Sequence, residues 1–244
     1  MMSLYFIGIL SFFMGLVTSI SGGGGVFGIP VMLAFGLPTL NALALNRISD
    51  LGTLAGAVKN YCTSKEMDWG LAKIVAPPFV IGGLMGVSFV VNSDSEFLKY
   101  FVVSAVFVGM FFLILPYRAK EVKAKPNYYL GIPLLILVGF WDGSVAMAGA
   151  TFAMIILVAV FHKSFISARS SLIIAAIPET MISSSVLIYA ASLKLSEIAV
   201  MFFASVLGAY AGSKLAIKKG NNFIRFTMVG ISFVMCLKII FFDL

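Results

Sequence analysis

Apolar residues run along this chain in blocks of membrane-spanning length, near residues 4–35, 42–61, 71–91, 97–116, 128–161, 172–191, 196–213 and 223–242. Charged residues fall mainly in the short intervals between the blocks. The pattern predicts an all-α, polytopic membrane protein. The first block is interrupted by Ser21-Gly22-Gly23-Gly24-Gly25, and no charged residue precedes Arg47. Four consecutive glycines carry the largest backbone entropy cost of ordering and no side chains to shield their peptide groups, so they break a helix. Within a bilayer such unwound backbone persists only where it is buried in protein or lines a wet cavity. The sequence therefore predicts a broken helix holding something polar.

Composition agrees: 61% of residues are hydrophobic and 11% charged, against about 25% charged in soluble domains. Met1 to Ser3 provides no basic leader and no small-residue cleavage site follows, so the N-terminus is expected to stay in the mature protein. The net charge of +7 resides mostly in inter-span loops, where it reports orientation and argues against nucleic-acid binding. Cys62, Cys236 and the single histidine, His162, lack partners at metal or disulfide spacing. No cofactor or metal is expected. No nucleophile, base and orienting group assemble, so an enzyme is a poor fit.

A duplication organises the chain. Gly82-Gly83-Leu84-Met85-Gly86 recurs 126 residues later as Gly208-Ala209-Tyr210-Ala211-Gly212, and at that offset Ala42 meets Ala168, Phe97 meets Phe223, and Val103, Phe107 and Val108 meet Val229, Phe233 and Val234. Gly15 and Gly139 pair at an offset of 124. The halves are expected over residues 1–117 and 128–244, joined by a linker, 118–127. That linker carries Arg118, Lys120, Glu121, Lys123 and Lys125 between Tyr117 and Tyr128-Tyr129, which assigns it to the cytoplasm. The loop with Asp94, Glu96 and Lys99 corresponds to one with Lys214, Lys218, Lys219 and Arg225. Opposite charge bias predicts opposite sides, hence inverted repeats. Placing both the linker and the loop from His162 to Arg169 in the cytoplasm requires residues 128–161 to form a hairpin, expected to bend at Asp142-Gly143. Its counterpart, 4–35, would bend at the glycines and enter from the other side. Each half would then hold one broken hairpin and three transmembrane helices, with both chain ends outside the cell.

The hairpin tips are the first candidates for a site. Ser21 and the amides of Gly22, Gly23, Gly24 and Gly25 precede a returning helix, whose N-terminus suits an anion. Close helix packing is the alternative role for these glycines, although packing asks for every fourth position rather than four in a row. The second tip supplies Asp142, Gly143, Ser144, Gly149 and Thr151. Asn46-Arg47-Ile48-Ser49-Asp50 places a cation and a carboxylate on one helical face in an apolar block. Arg47 either offers a fork to an oxyanion or neutralises Asp50. Glu179, in Pro178-Glu179-Thr180, is a candidate proton carrier together with Asp50. A structural hydrogen bond or a pair with Arg47 is the alternative for Glu179. Gly82/Gly86 and Gly208/Gly212 are read as packing glycines, within the monomer or across a homodimer.

The chain resembles the sulfite exporter TauE/SafE family of membrane permeases along nearly its whole length. The likeness rests on Gly15 with Ser21 to Gly25, Gly28 and Pro30; on Asn41-Ala42 and Asn46-Arg47; on Asp68-Trp69 before Gly82 to Gly86; on Asp142-Gly143; and on Leu207 to Lys214, Lys219-Gly220 and Ile224-Arg225. The resemblance implies a secondary transporter of sulfite or a related organosulfonate or sulfur oxyanion in the cytoplasmic membrane. Departures are Ala146, Ala148 and Ala150 where the family has a second glycine-rich loop, and Pro178-Glu179 where it tends to carry a basic residue. The expected activity is alternating-access movement of a small anion, proton-coupled through Glu179. A passive anion channel and a non-transporting membrane scaffold are the alternatives.

Overall fold

In the computed structural model, residues 3–114, 126–224, 226 and 227 are described. Ten long helices occur among them: α1 (Leu4–Ser21), α2 (Gly25–Ala34), α3 (Thr39–Cys62), α4 (Trp69–Asn92), α5 (Ser95–Ile114), α6 (Tyr128–Val145), α7 (Gly149–Ala159), α8 (Phe165–Ala175), α9 (Ile177–Ala190) and α10 (Leu195–Lys219). Helices α1, α4, α6 and α10 are long and apolar enough to cross a membrane, and α8 with α9 forms a fifth candidate bent by 50°. Helix α3 has 24 residues, but Asn46, Arg47, Asp50, Lys59 and Asn60 make it polar for a span. The linker charges, Cys236 and nearly all of the last apolar block lie outside the described residues.

Several helices begin on a side-chain cap. Ser3, Asp68, Asn127 and Ser164 accept from the amides of Phe6, Leu71, Leu130 and Ser167, satisfying donors that the first turn leaves orphaned. Helices α2 and α7 begin at chain breaks with no side-chain cap on the residue before them. Helices α3 and α9 also begin without one, so it is the two breaks, and not the missing caps, that set α2 and α7 apart.

The first break, at Gly22–Gly24, falls within the glycine run as expected. Gly22 adopts φ 84° and returns its amide to Thr18 O at 2.9 Å. The second break does not fall at Asp142-Gly143. Helix α6 continues through both to Val145, and the chain turns at Ala146 and Ala148, with φ of 53° and 58°. The left-handed region costs an alanine about 1–2 kcal/mol. Gly143 serves packing instead: a Cβ there would overlap the backbone of Gly83 on α4.

Glycine contacts set the architecture. On α4, a Cβ at Gly82 or Gly86 would strike the backbone of Ile136 or Phe140 on α6. On α10, Gly208 and Gly212 stand equally close to Phe12 and Leu16 on α1. The packing role read for these glycines is realised inside the monomer, with the broken helix of each half lying along a helix of the other half. Rising residue numbers match in both contacts, so α1 runs parallel to α10 and α6 parallel to α4.

The hairpin ends fix which way each enters. The rings of Phe6 and Phe35 are 4.7 Å apart, and Asn127 N donates to Val160 O at 3.2 Å, so each hairpin starts and finishes at one end of the bundle. Asn41 Nδ2 bonds Ser192 O near the first hairpin's base, where α10 begins. Lys163 bonds Asp68 and the Ile166 amide bonds Asn221 near the other base, where α10 has ended. The two broken helices therefore approach from opposite ends of the bundle.

Candidate functional site

The hairpin tips touch. Thr151 Oγ1 donates to Ser21 O at 2.7 Å, and a Cβ on Gly22 would crowd Ala150 and Thr151 at 2.8 Å. Asn46 donates to Ala146 O and, at 3.3 Å, to Asp50 Oδ2. Gly24 N donates to Thr18 Oγ1 at 3.1 Å. A Cβ on Gly24 would overlap Thr18, and one on Gly25 would press on Ala146 O at 2.6 Å. The glycine run thus meets both demands posed by the sequence: it breaks the helix, and it admits close neighbours.

Beside this junction lies a buried charged cluster. Arg47, 1% exposed, reaches Asp142 Oδ2 from Nη1 at 2.9 Å and also donates to the Asp142 carbonyl. Glu179, also 1% exposed, receives Nη1 at 3.4 Å, with Nη2 at 3.4 Å from its other oxygen. Asp50 Oδ2 stands at 4.0 Å. The alternative left open for Glu179, pairing with Arg47, is thus realised, and Arg47 neutralises Asp142 and Glu179 more closely than Asp50. Burying a charge without such partners would be prohibitive.

Arg169 corrects an expectation. Grouped by sequence with the His162 loop, it instead lies in α8 and is 2% exposed. Its Nε donates to Ser19 O at 3.0 Å and its Nη2 to Thr18 O. Tyr61 Oη donates to the same Ser19 carbonyl at 2.6 Å. Each buried arginine therefore caps the last carbonyls of a broken helix, Arg47 on α6 and Arg169 on α1, where cations are favoured by the helix dipole. Thr18, Tyr61 and Arg169 were not singled out from the sequence. The available signal was Ala168-Arg169-Ser170-Ser171, a polar run entering an apolar block as Asn46-Arg47-Ile48-Ser49 does.

A cavity of about 40 Å³ opens at the junction, lined by both arginines, Asp50, Asp142, Gly22 and Gly25, with Thr18, Ala146, Ala148 and Ala150 among its other walls. A water needs roughly 10–15 Å³, so this space admits only a few small groups. Of the residues selected from sequence, Gly22, Gly25, Arg47, Asp50 and Asp142 line it. Ser21, Gly24, Asn46 and Thr151 support the lining through the bonds above. Gly143 faces α4, Ser144 Oγ bonds Trp141 O at 3.1 Å, and Gly149 abuts the Asp142 carboxyl. Glu179 backs the cluster through Arg47. No group of three or more His, Cys, Asp or Glu residues suited to a metal occurs among the described residues.

Helices of spanning length, with two helix breaks meeting beside buried charge, define a polytopic membrane protein of the transporter class. The family model "Sulfite exporter TauE/SafE" matches residues 7–239, and the chain belongs to that family. The Probable membrane transporter protein YfcA of Escherichia coli is 27% identical over 247 residues, covering 98% of this chain and 88% of the relative. A probable membrane transporter protein of Haemophilus influenzae is 23% identical over 235 residues, covering 95% and 92%. One from Sinorhizobium, ORF9, is 25% identical over 254 residues, covering 97% and 92%. No solved structure matches.

Proposed function

We propose that this protein is a secondary transporter that moves a small anion, of the sulfite or organosulfonate kind, across the cytoplasmic membrane by alternating access. The observation that carries the reading is the meeting of two helix N-termini, α2 and α7, over a cavity lined by buried Arg47 and Arg169. Such termini present amides and positive dipole ends to an anion. The substrate set is Ser21 to Gly25, Asn46 and Arg47 from one half and Asp142, Ser144, Gly149 and Thr151 from the other, with Gly143 allowing α6 to approach α4.

Proton coupling follows from the cluster's charge balance. Three carboxyl groups, on Asp50, Asp142 and Glu179, share the Arg47 guanidinium. An incoming anion adds negative charge to a cavity these acids already share, so its arrival is tied to proton exchange at Glu179 or Asp50. The reciprocal packing of α1 on α10 and α6 on α4, together with the charge bias of the loops, supports two inverted repeats with both termini outside the cell. A reporter fused after Leu244 tests that orientation, and a cytoplasmic reading would refute it.

Transport itself is tested in proteoliposomes with labelled sulfite, sulfate, thiosulfate and small sulfonates, with and without a pH gradient. The expected result is saturable uptake driven uphill by the gradient, reduced in Arg47→Gln. Glu179→Gln should keep downhill flux and lose the gradient dependence. Flux that never saturates would mean a channel, and absence of flux for every anion would overturn the proposal.

A further inference from the structure

The two halves build the same polar node twice, and only one copy is neutralised from within. In α6, Asp142 is the residue whose carbonyl receives the amide of Ala146, the first residue of the break. In α1 that position is Thr18, which receives Gly22 N in the same way. Asp142 places its carboxyl on Arg47 at 2.9 Å and against Gly149 at the start of α7. Thr18 places a neutral hydroxyl at the start of α2, where it accepts from Gly24 N. Arg169 occupies the position Arg47 holds in the other copy, bonded to the carbonyls of Thr18 and Ser19. Among the described residues no carboxylate lies within the 4.0 Å ion-pair distance of Arg169. It is a buried cation, 2% exposed, on the wall of the cavity.

Arg169 is bonded to two carbonyls and stands beside the Tyr61 hydroxyl, while the carboxylates of Asp50 and Asp142 act on it across the cavity from beyond ion-pair distance, so no anion touches its charge. We propose that the substrate anion supplies a counter-charge in direct contact and binds in the Thr18 copy, between Arg169 and the start of α2 at Gly22 to Gly25. Arg47, already engaged by Asp142 and Glu179, then belongs to the neutralised copy, whose resident carboxylate mimics the anion. The inference rests on the anion-transport reading and specifies where in the site the charge is held. It also names Thr18 as the residue that keeps that place open: it is close in size to aspartate but uncharged.

The test converts one copy into the other. Thr18→Asp should install a resident carboxylate beside Arg169, and Thr18→Asn is the neutral control of matching shape. Purified full-length protein in detergent is titrated with sulfite and with sulfate, and thermal unfolding is followed. Wild type and Thr18→Asn should be stabilised by the anion. In Thr18→Asp the apparent Kd should rise by tenfold or more, while Tm without anion equals or exceeds that of wild type. An unchanged Kd in Thr18→Asp would overturn the inference while leaving anion transport intact. If wild type binds neither anion, the transport reading fails, and the Tm comparison still decides this one: Thr18→Asp below Thr18→Asn refutes it. Should Thr18→Asp not fold, Arg169→Lys puts the same question, since a compact ammonium lacks the planar fork that reaches the two carbonyls from Nε and Nη2 and still faces the cavity. A tenfold weaker Kd is expected there, and an unchanged Kd again refutes the proposal.

Discussion

Arg47 grips Asp142 twice, at the carboxylate across 2.9 Å and at the backbone carbonyl, and so joins α3 of the first half to the end of the broken helix α6 of the second. One side chain thereby neutralises an acid, caps a helix and fixes the position of a hairpin tip. Arg47 is fully buried and the Asp142 side chain only 13% exposed, so the pair has little water to fall back on.

Replacing Arg47 with alanine should accordingly cost about 3–5 kcal/mol, since Asp142 and Glu179 are left without their cation. At roughly 2–4 °C per kcal/mol for a chain of this size, Tm in detergent should fall by about 6–20 °C. Adding Asp142→Asn and Glu179→Gln should recover part of the loss. A Tm unchanged in the single variant would show that the cluster is neutral without Arg47.

Thr151→Val removes the hydroxyl that bonds Ser21 O between the tips while keeping shape. The stranded carbonyl should cost about 1–3 kcal/mol. Proteolysis or hydrogen exchange should show faster opening around residues 18–25 than elsewhere. Uniform protection in the variant would mean the tips are held by packing alone.

Gly82→Ala and Gly8→Ala form a matched pair. A Cβ at Gly82 would overlap the Ile136 backbone on α6, whereas at Gly8 it would rest on Val200 at an ordinary 3.4 Å. Gly82→Ala should lower folded yield and Tm sharply. Gly8→Ala should be neutral or stabilising by up to about 1 kcal/mol, because alanine loses less entropy in a helix. Equal effects would contradict the close α4–α6 crossing.

At one end of the bundle Lys163 Nζ lies 2.7 Å from Asp68, and this bond, with the Leu71 amide, holds the Asp68 carboxyl below its usual range. A lowered native pKa means the contribution is full above about pH 3.9 and is lost as pH falls through the native value. Both side chains are about a third exposed, 33% for Asp68 and 31% for Lys163, so the pair should be worth no more than about 1 kcal/mol. Asp68→Asn keeps a good N-cap and should remove only this acid-sensitive, salt-sensitive increment. Thermal unfolding across acidic pH at low and high salt measures it, and a larger loss that ignores salt would point to a role beyond pairing.

The site was partly legible before the fold. Glycines at Gly22 to Gly25 announced the first break because no other residue unwinds a helix so cheaply. The second break was misplaced because Asp142-Gly143 has the composition of a turn. Helix α6 runs through it since Gly143 is required against Gly83, and the chain turns instead at two alanines held left-handed. Arg47 and Glu179 stood out as charges in apolar blocks. Arg169 did not, because its neighbours His162 and Lys163 made it read as part of a loop.

Taken by itself, the sequence determined that the chain is a bundle of membrane-spanning helices and that one of them is broken at the glycines, and the recurrence of Gly82/Gly86 as Gly208/Gly212 pointed to a duplication. These are matters of composition and local backbone freedom, which need no partner to take effect. Only the tertiary structure decided which carboxylates hold Arg47, that Arg169 is buried with none of the described carboxylates in ion-pair contact, and that the tips meet at Ser21 and Thr151. Those relations join residues about 95 to 150 positions apart, from 95 for Arg47 with Asp142 to 150 for Arg169 with Ser19, and a charge's effect depends on what surrounds it in space rather than on its neighbours along the chain.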